Sequence, residues 1–153
     1  MNIYTSLIID LSKYPVNRRK ISGPAITASG ANVTCGDRLR MYAKLDARGG
    51  VSDCSFEGEG CAISMASASL LTEEAKGKTP EEILQWGALQ VFGWLGVELG
   101  GSRIKCGLLA LETLQTGLKT IPTPRISIVP SKTPLDSFQK SSSKHHPANQ
   151  DRE

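Results

Sequence analysis

The stretch "GEGCAISMASASLL", residues 58–71, places one cysteine behind two glycines and ahead of a run of small residues. Residues 51–56 before it have the pattern of a strand, whereas the alanines, serines and methionine after it are typical of a helix. We therefore predict a helix from Ala62 to about Ala75 that ends near Gly77. Cys61 is then expected at a junction between a strand and a helix.

Hydrophobic periodicity and turn residues predict the other elements. Apolar residues at helical spacing predict a first helix that begins at Ile3 and ends before Pro15. Residues 15–34 are predicted to be a connection, and residues 39–45 and 51–56 a hairpin. The Thr79-Pro80-Glu81-Glu82 capping box starts a helix through 83–95, and a last helix runs from Ile104 to about Lys119. A short sheet followed by helices predicts an α+β fold.

Composition narrows the class of protein. The net charge is only +3 and aromatic residues make up 5%, so nothing indicates a nucleic-acid surface. No apolar run approaches the roughly 20 residues that a membrane span needs. The first helix carries Asp10 and Lys13, so we interpret it as amphipathic rather than as a signal peptide, and we predict a cytoplasmic protein with reduced thiols. Residues 122–153, rich in proline and serine, are predicted to form a disordered tail.

Three of the four cysteines are predicted at the ends of elements, beside glycine. They are Cys35 in "TCGD" with Asp37 two residues on, Cys61, and Cys106 in the first turn of the last helix. A helix N-terminus lowers the pKa of a thiol, so Cys61 and Cys106 are expected to favour thiolate. Cys54 shares a strand face with Phe56 and is predicted to lie in the core. The spacing of Cys35, Cys61 and Cys106 fits no CxxC zinc signature, so the residues alone leave open whether these cysteines bind a metal or are structural.

Several motifs resemble one known family in order and in sequence. They are "YTSLIIDLSKYPVNR" (4–18), "CGD" (35–37), "FEGEGCAISMASASLLTE" (56–73), "GKTPEE" (77–82) and "RIKCGLLALETL" (103–114). They resemble the NifU N-terminal, IscU and SufU iron–sulfur assembly proteins. The resemblance covers roughly residues 1–119, so residues 1–121 are predicted to be one scaffold domain.

The resemblance implies a three-stranded antiparallel sheet packed against helices and a metal site made by Cys35, Asp37, Cys61 and Cys106. IscU-type members receive sulfur from a pyridoxal-phosphate cysteine desulfurase, take up iron and electrons, assemble a [2Fe–2S] cluster and pass it to apo-proteins. SufU-type members bind zinc at the same ligands and accept persulfide sulfur. The resemblance thus implies a scaffold or carrier protein rather than an enzyme, with a zinc-bound sulfurtransferase as the alternative.

Three departures from the family patterns bear on the subtype. Lys105 stands where IscU-type proteins have a histidine, and is either a solvated lysine or a group that stabilises thiolate or persulfide on Cys106. "LGGSR" (99–103) replaces the chaperone-docking "LPPVK", so a dedicated Hsp70-type chaperone is not expected. The 44 residues between Cys61 and Cys106 leave no room for the insertion usual in SufU-type proteins.

Cys106 or Cys35 is the expected persulfide acceptor, since both should lie on exposed loops or at exposed helix starts.

Overall fold

A computed structural model describes residues 2–122, which contain five helices and three strands. The elements in chain order are α1 (Ile3–Lys13), β1 (Ile26–Asn32), β2 (Asp37–Leu45), β3 (Val51–Glu59), α2 (Ala62–Ala75), α3 (Pro80–Leu84), α4 (Ala88–Leu95) and α5 (Arg103–Leu118). The strands form one antiparallel sheet in the order β1-β2-β3. The predicted α+β fold is confirmed. The predicted tail, 122–153, lies outside the described residues apart from its first residue.

One face of the sheet carries the core. Met41 of β2 lies opposite Phe56 of β3, and Ala43 lies opposite Cys54, all with no exposed surface. Helices α2 and α5 cover this face. The prediction that Cys54 is a core thiol is confirmed, and burial raises its pKa to about 12. Within residues 2–122, none of the helices is long and apolar enough to cross a membrane.

Strand β1 corrects the prediction that residues 15–34 are a connection. Its burial does alternate, but the residues that face α5 between its ends are Ala28 and Gly30, too small to give a hydrophobic signal. A Cβ on Gly30 would lie 2.1 Å from Thr113 Oγ1 on α5. The close contact between β1 and α5 therefore requires small residues, and small residues give no hydrophobic pattern from which the strand could be predicted.

The segment 80–95 corrects a second prediction. The capping box is confirmed, because Thr79 and Glu82 each bind the other's backbone N–H. The helix it starts nevertheless ends at Leu84, and a new helix, α4, begins after Gly87, whose backbone is extended (φ −142°, ψ −165°). Of the two glycines within the predicted helix, Gly87 interrupts it and Gly93 stays inside α4.

Helix α2 is buried on almost every side, since it contacts α1, α4, α5 and β3. Its alanines fit against those neighbours, and its buried hydroxyls all find acceptors. Ser69 and Thr72 donate to carbonyls one turn earlier in the helix, and Ser67 donates to the Gly107 carbonyl on α5 at 2.5 Å. The run of small residues therefore serves a central helix rather than an amphipathic one.

The end of β3 depends on a glycine. Gly58 has φ +137°, and a Cβ there would lie 2.0 Å from the carbonyl oxygen of Arg38 on β2. A side chain would therefore force the two strands apart just before the chain enters α2.

We predict that Gly58→Ala lowers the free energy of unfolding by more than about 2 kcal/mol, because it combines backbone strain with a clash against main chain. Urea unfolding of the apo-protein measures this. The matched control is Gly93→Ala, at an exposed helical position with open space around it, where a gain of about 0.5–1 kcal/mol is expected. Equal stability of the two variants would contradict the claim that a side chain at position 58 clashes with β2.

Candidate metal centre

Four side chains singled out from the sequence come from four parts of the chain. Cys35 lies in the turn between β1 and β2, Asp37 is the first residue of β2, Cys61 is the N-cap of α2, and Cys106 is the fourth residue of α5. Since antiparallel pairing sets the start of β2 beside the end of β3, the turn and the helix junction meet at one end of the sheet.

Three of these side chains form a tight group. The sulfurs of Cys35 and Cys106 and a carboxylate oxygen of Asp37 all lie within 4.8 Å of one another, and the two sulfurs are 3.2 Å apart. Cys61 lies outside that group, and its sulfur is 3.6 Å from the Ser64 hydroxyl. Cys61 does line the same cavity as Cys35 and Cys106.

Burial divides the four residues into two pairs. Cys35 and Cys61 are exposed, whereas Asp37 is 1% exposed and Cys106 is 2% exposed. The expectation of an exposed Cys106 is wrong, because Cys106 lies on the buried side of α5, whereas Arg103 and Lys105 in the same turn are exposed. Burial raises the pKa of Cys106, and the neighbouring Cys35, Asp37 and Cys61 side chains raise it further. This outweighs the lowering expected from the helix N-terminus.

The Asp37 carboxylate is held from α2. Its Oδ1 accepts a hydrogen bond from the Cys61 N–H at 2.9 Å, and its Oδ2 accepts one from the Ser64 hydroxyl at 2.7 Å. The negative charge thus lies at the N-terminus of α2, where the helix dipole favours it. Within the described residues, Cys61 itself provides no side-chain cap for this helix, so Asp37 supplies one from β2.

A buried asparagine holds the other sulfur. Asn32, which pairs with Asp37 across the sheet, donates from Nδ2 to the Cys106 sulfur at 3.6 Å. Its backbone carbonyl also accepts from Gly36 N–H at 2.9 Å, which closes the turn that carries Cys35. Sequence reasoning missed Asn32 and Ser64. The only available signal was their distance of three residues from a candidate ligand.

The thiols open into a cavity of about 650 Å³. Its apolar wall comes from α1, from the first turn of α2 and from the segment between α4 and α5, and it includes Ile8, Ile9, Ile63, Val97 and Leu99. Arg103 contributes a cation to the lining, whereas Lys105, for which the sequence suggested a role at Cys106, is exposed and is not among the lining residues.

The donor set fits a thiophilic metal. Zinc binds thiolate at about 2.3 Å and carboxylate at about 2.0–2.2 Å, so tetrahedral ligand atoms lie about 3.3–3.8 Å apart. Atoms already within 4.8 Å of one another need little movement to reach those separations. Cysteine-rich sets with one oxygen suit zinc, and cysteine sulfur also holds the iron of iron–sulfur clusters.

Two known proteins are identical to this chain at about a third of the aligned residues. The chain is 35% identical over 133 residues to the zinc-dependent sulfurtransferase SufU of Bacillus subtilis (strain 168), a match that covers 76% of this chain and 89% of that protein. It is 33% identical over 138 residues to the iron-sulfur cluster assembly scaffold protein IscU of Thermotoga maritima, covering 80% and 96% of the two chains.

The chain is also similar to a solved structure. A crystal structure from Fervidobacterium islandicum AW-1, assigned to a scaffold for the SUF system, has 31% identity and a TM-score of 0.60 and covers 73% of this chain and 93% of that one. Residues 3–125 match the family model described as the NifU-like N terminal domain. The resemblance drawn from the motifs is confirmed, and the protein belongs to the NifU-like N-terminal domain family.

Proposed function

We propose that this protein is a scaffold on which an iron–sulfur cluster is assembled. In this proposal it receives sulfur from a pyridoxal-phosphate cysteine desulfurase, takes up iron, builds a [2Fe–2S] cluster with outside electrons and passes the cluster to apo-proteins. It acts as a carrier rather than as an enzyme. The observation that carries the proposal is the convergence of Cys35, Asp37 and Cys106 beside Cys61 at an open cavity.

The proposed ligands are Cys35, Asp37, Cys61 and Cys106, and their chemistry suits a cargo that must leave. Three thiolates hold iron or zinc firmly, whereas a carboxylate is a harder donor and a poorer match to a cluster. A weaker fourth ligand leaves one position at which an acceptor's thiol can enter.

Exposure favours Cys35 over Cys106 as the first sulfur acceptor. In the proposed step the Cys35 thiolate attacks the outer sulfur of the desulfurase's cysteine persulfide. The donor S–S bond breaks, a new S–S bond forms on Cys35, and the desulfurase cysteine leaves as thiolate, so the step needs no added oxidant or reductant. The buried Cys106 would then act as a ligand.

The second candidate function is a zinc-bound sulfurtransferase that partners a desulfurase. Two sequence features favour it: Lys105 precedes Cys106, as in the SufU-type pattern "R-x-K-C", and "LGGSR" (99–103) stands in place of the chaperone-docking motif of IscU-type proteins. The same four ligands would then hold zinc as a resident ion, and Cys35 would accept persulfide and pass the sulfur on by thiol exchange.

We predict that the full chain, purified without oxygen and given ferrous iron, cysteine, a cysteine desulfurase and a thiol reductant as the electron source, gains visible cluster absorption with equal amounts of iron and sulfide. Metal analysis and the spectrum are the measurements. Accelerated desulfurase turnover with zinc retained would instead support the sulfurtransferase. The absence of both would leave only a structural zinc domain and would contradict both proposals.

We predict that Asp37→Ala lowers the affinity of the apo-protein for zinc by more than about tenfold, because a direct ligand should matter at least as much as an outer partner. Competition with a chromophoric chelator measures the affinity. The matched control is Asp53→Ala, which removes a β3 carboxylate paired with Arg19 at the surface. Unchanged zinc affinity together with unchanged cluster transfer would remove Asp37 from the ligand set.

We predict that Cys35→Ser abolishes persulfide transfer from a desulfurase supplied with sulfur-labelled cysteine, because Cys35 is the exposed one of the two candidate acceptors, Cys35 and Cys106. Cys106→Ser should keep the label and lose metal. Cys54→Ala, at the core thiol, is the control and should keep both. Labelling lost in Cys106→Ser and kept in Cys35→Ser would reverse the assignment of the acceptor.

A further inference from the structure

Ser64 contacts three of the four candidate ligands, Asp37, Cys61 and Cys106, without being a candidate itself. Its side chain has no exposed surface. Its oxygen lies 2.7 Å from Asp37 Oδ2, 3.2 Å from the carbonyl oxygen of Cys106 and 3.6 Å from the Cys61 sulfur. One hydroxyl therefore occupies the point where β2, α2 and α5 meet.

A serine hydroxyl has only one hydrogen to donate, and the geometry indicates where it goes. The Asp37 carboxylate is the closest acceptor and the only charged one, so it takes the hydrogen in a charge-assisted bond. The lone pairs of the same oxygen face the Cys61 thiol. Ser64 thus links the carboxylate directly to a neighbouring candidate ligand.

The surroundings leave the carboxylate little freedom. A Cβ on Gly60 would lie 3.0 Å from Asp37 Oδ1 and 2.9 Å from the Ser64 Cβ, so glycine is required beside this pair. The same oxygen accepts a hydrogen bond from the Cys61 N–H, and Oδ2 accepts one from the Ser64 hydroxyl. Without the Ser64 hydroxyl, Oδ2 would lose the only partner it has within residues 2–122.

We propose that Ser64 is a positioning residue for Asp37: its hydroxyl holds the carboxylate in the orientation in which an oxygen faces the Cys35 and Cys106 sulfurs. The inference rests on the proposed ligand role of Asp37 and extends it to a residue that never touches the metal. Outer partners of this kind typically change metal affinity by about 10–100-fold when they are removed.

The test is a zinc titration of the apo full-length protein in competition with a chromophoric chelator. Ser64→Ala is expected to bind zinc about 10–100-fold more weakly. The matched control is Ser67→Ala: Ser67 is also buried on the same helix and its hydroxyl donates to an α5 carbonyl, but it does not hydrogen-bond to Asp37. Equal losses in the two variants would show a general effect on helix contacts and would overturn the proposal.

A double-mutant cycle separates positioning from a structural role. If Ser64 acts through Asp37, the double variant Ser64→Ala/Asp37→Ala binds zinc no more weakly than Asp37→Ala alone. A further loss of the same size as in the single Ser64→Ala variant would overturn the proposal. Thermal unfolding of the apo-proteins is measured alongside, because a purely structural effect would lower stability without this dependence on Asp37.

Ser64→Thr and Ser64→Val keep the test decisive if the alanine variant does not fold. The two side chains have the same shape and differ in a hydroxyl against a methyl, so any steric cost is shared. The valine variant is expected to bind zinc about tenfold or more weakly than the threonine variant. Equal affinity would overturn the proposal.

The two proposals fail in different ways. If Asp37→Ala loses zinc affinity and Ser64→Ala does not, the ligand set stands and the role of Ser64 is wrong. If Asp37→Ala keeps full affinity, the ligand role of Asp37 is wrong, and the inference that Ser64 acts through it falls as well.

Discussion

A carboxylate that is almost fully removed from water must find hydrogen-bond donors, and Asp37 finds both at the start of α2. This one requirement ties the first residue of β2 to the strand-to-helix junction at Cys61. The junction in turn needs the glycines before it, because side chains at Gly58 or Gly60 would enter the space of Arg38 or Asp37. Satisfying this one charge therefore joins the N-terminus of the central helix to the start of β2.

The same contacts serve stability and function at once. Asp37 caps α2 for the fold, and in the proposed function it also offers an oxygen to metal. The two roles are compatible, since the hydrogen bonds that cap the helix also hold the carboxylate in a fixed orientation. A site that must release its cargo is a suitable place for a carboxylate ligand, whereas a permanent structural zinc site would gain from a fourth thiolate.

The elements that could be predicted from the sequence are those with a local sequence pattern. Features that depend on packing against distant parts of the chain could not be predicted in this way. The strand period of β2, the capping box at Thr79 and the helix after Cys61 are local patterns, and the structure confirms them. Strand β1 was not predicted because Ala28 and Gly30 are small to fit under α5, a fact no local pattern contains.

The site shows the same limit. Cys35 and Cys106 are 71 residues apart, so their proximity could be predicted only from family motifs. Among the three serines of α2, nothing in the sequence marks Ser64 as the one that faces Asp37.

Burial suggests how the four proposed ligands divide the work. Cys35 and Cys61 are exposed at the cavity, where a partner's sulfur can reach them, while Asp37 and Cys106 are enclosed and bonded from behind by Ser64 and Asn32. Exchange chemistry requires an accessible thiolate, whereas holding a metal requires donors in fixed positions. An arrangement with one pair of each kind meets both requirements, and it does so whether the cargo is a cluster in the scaffold or a sulfur atom in the sulfurtransferase.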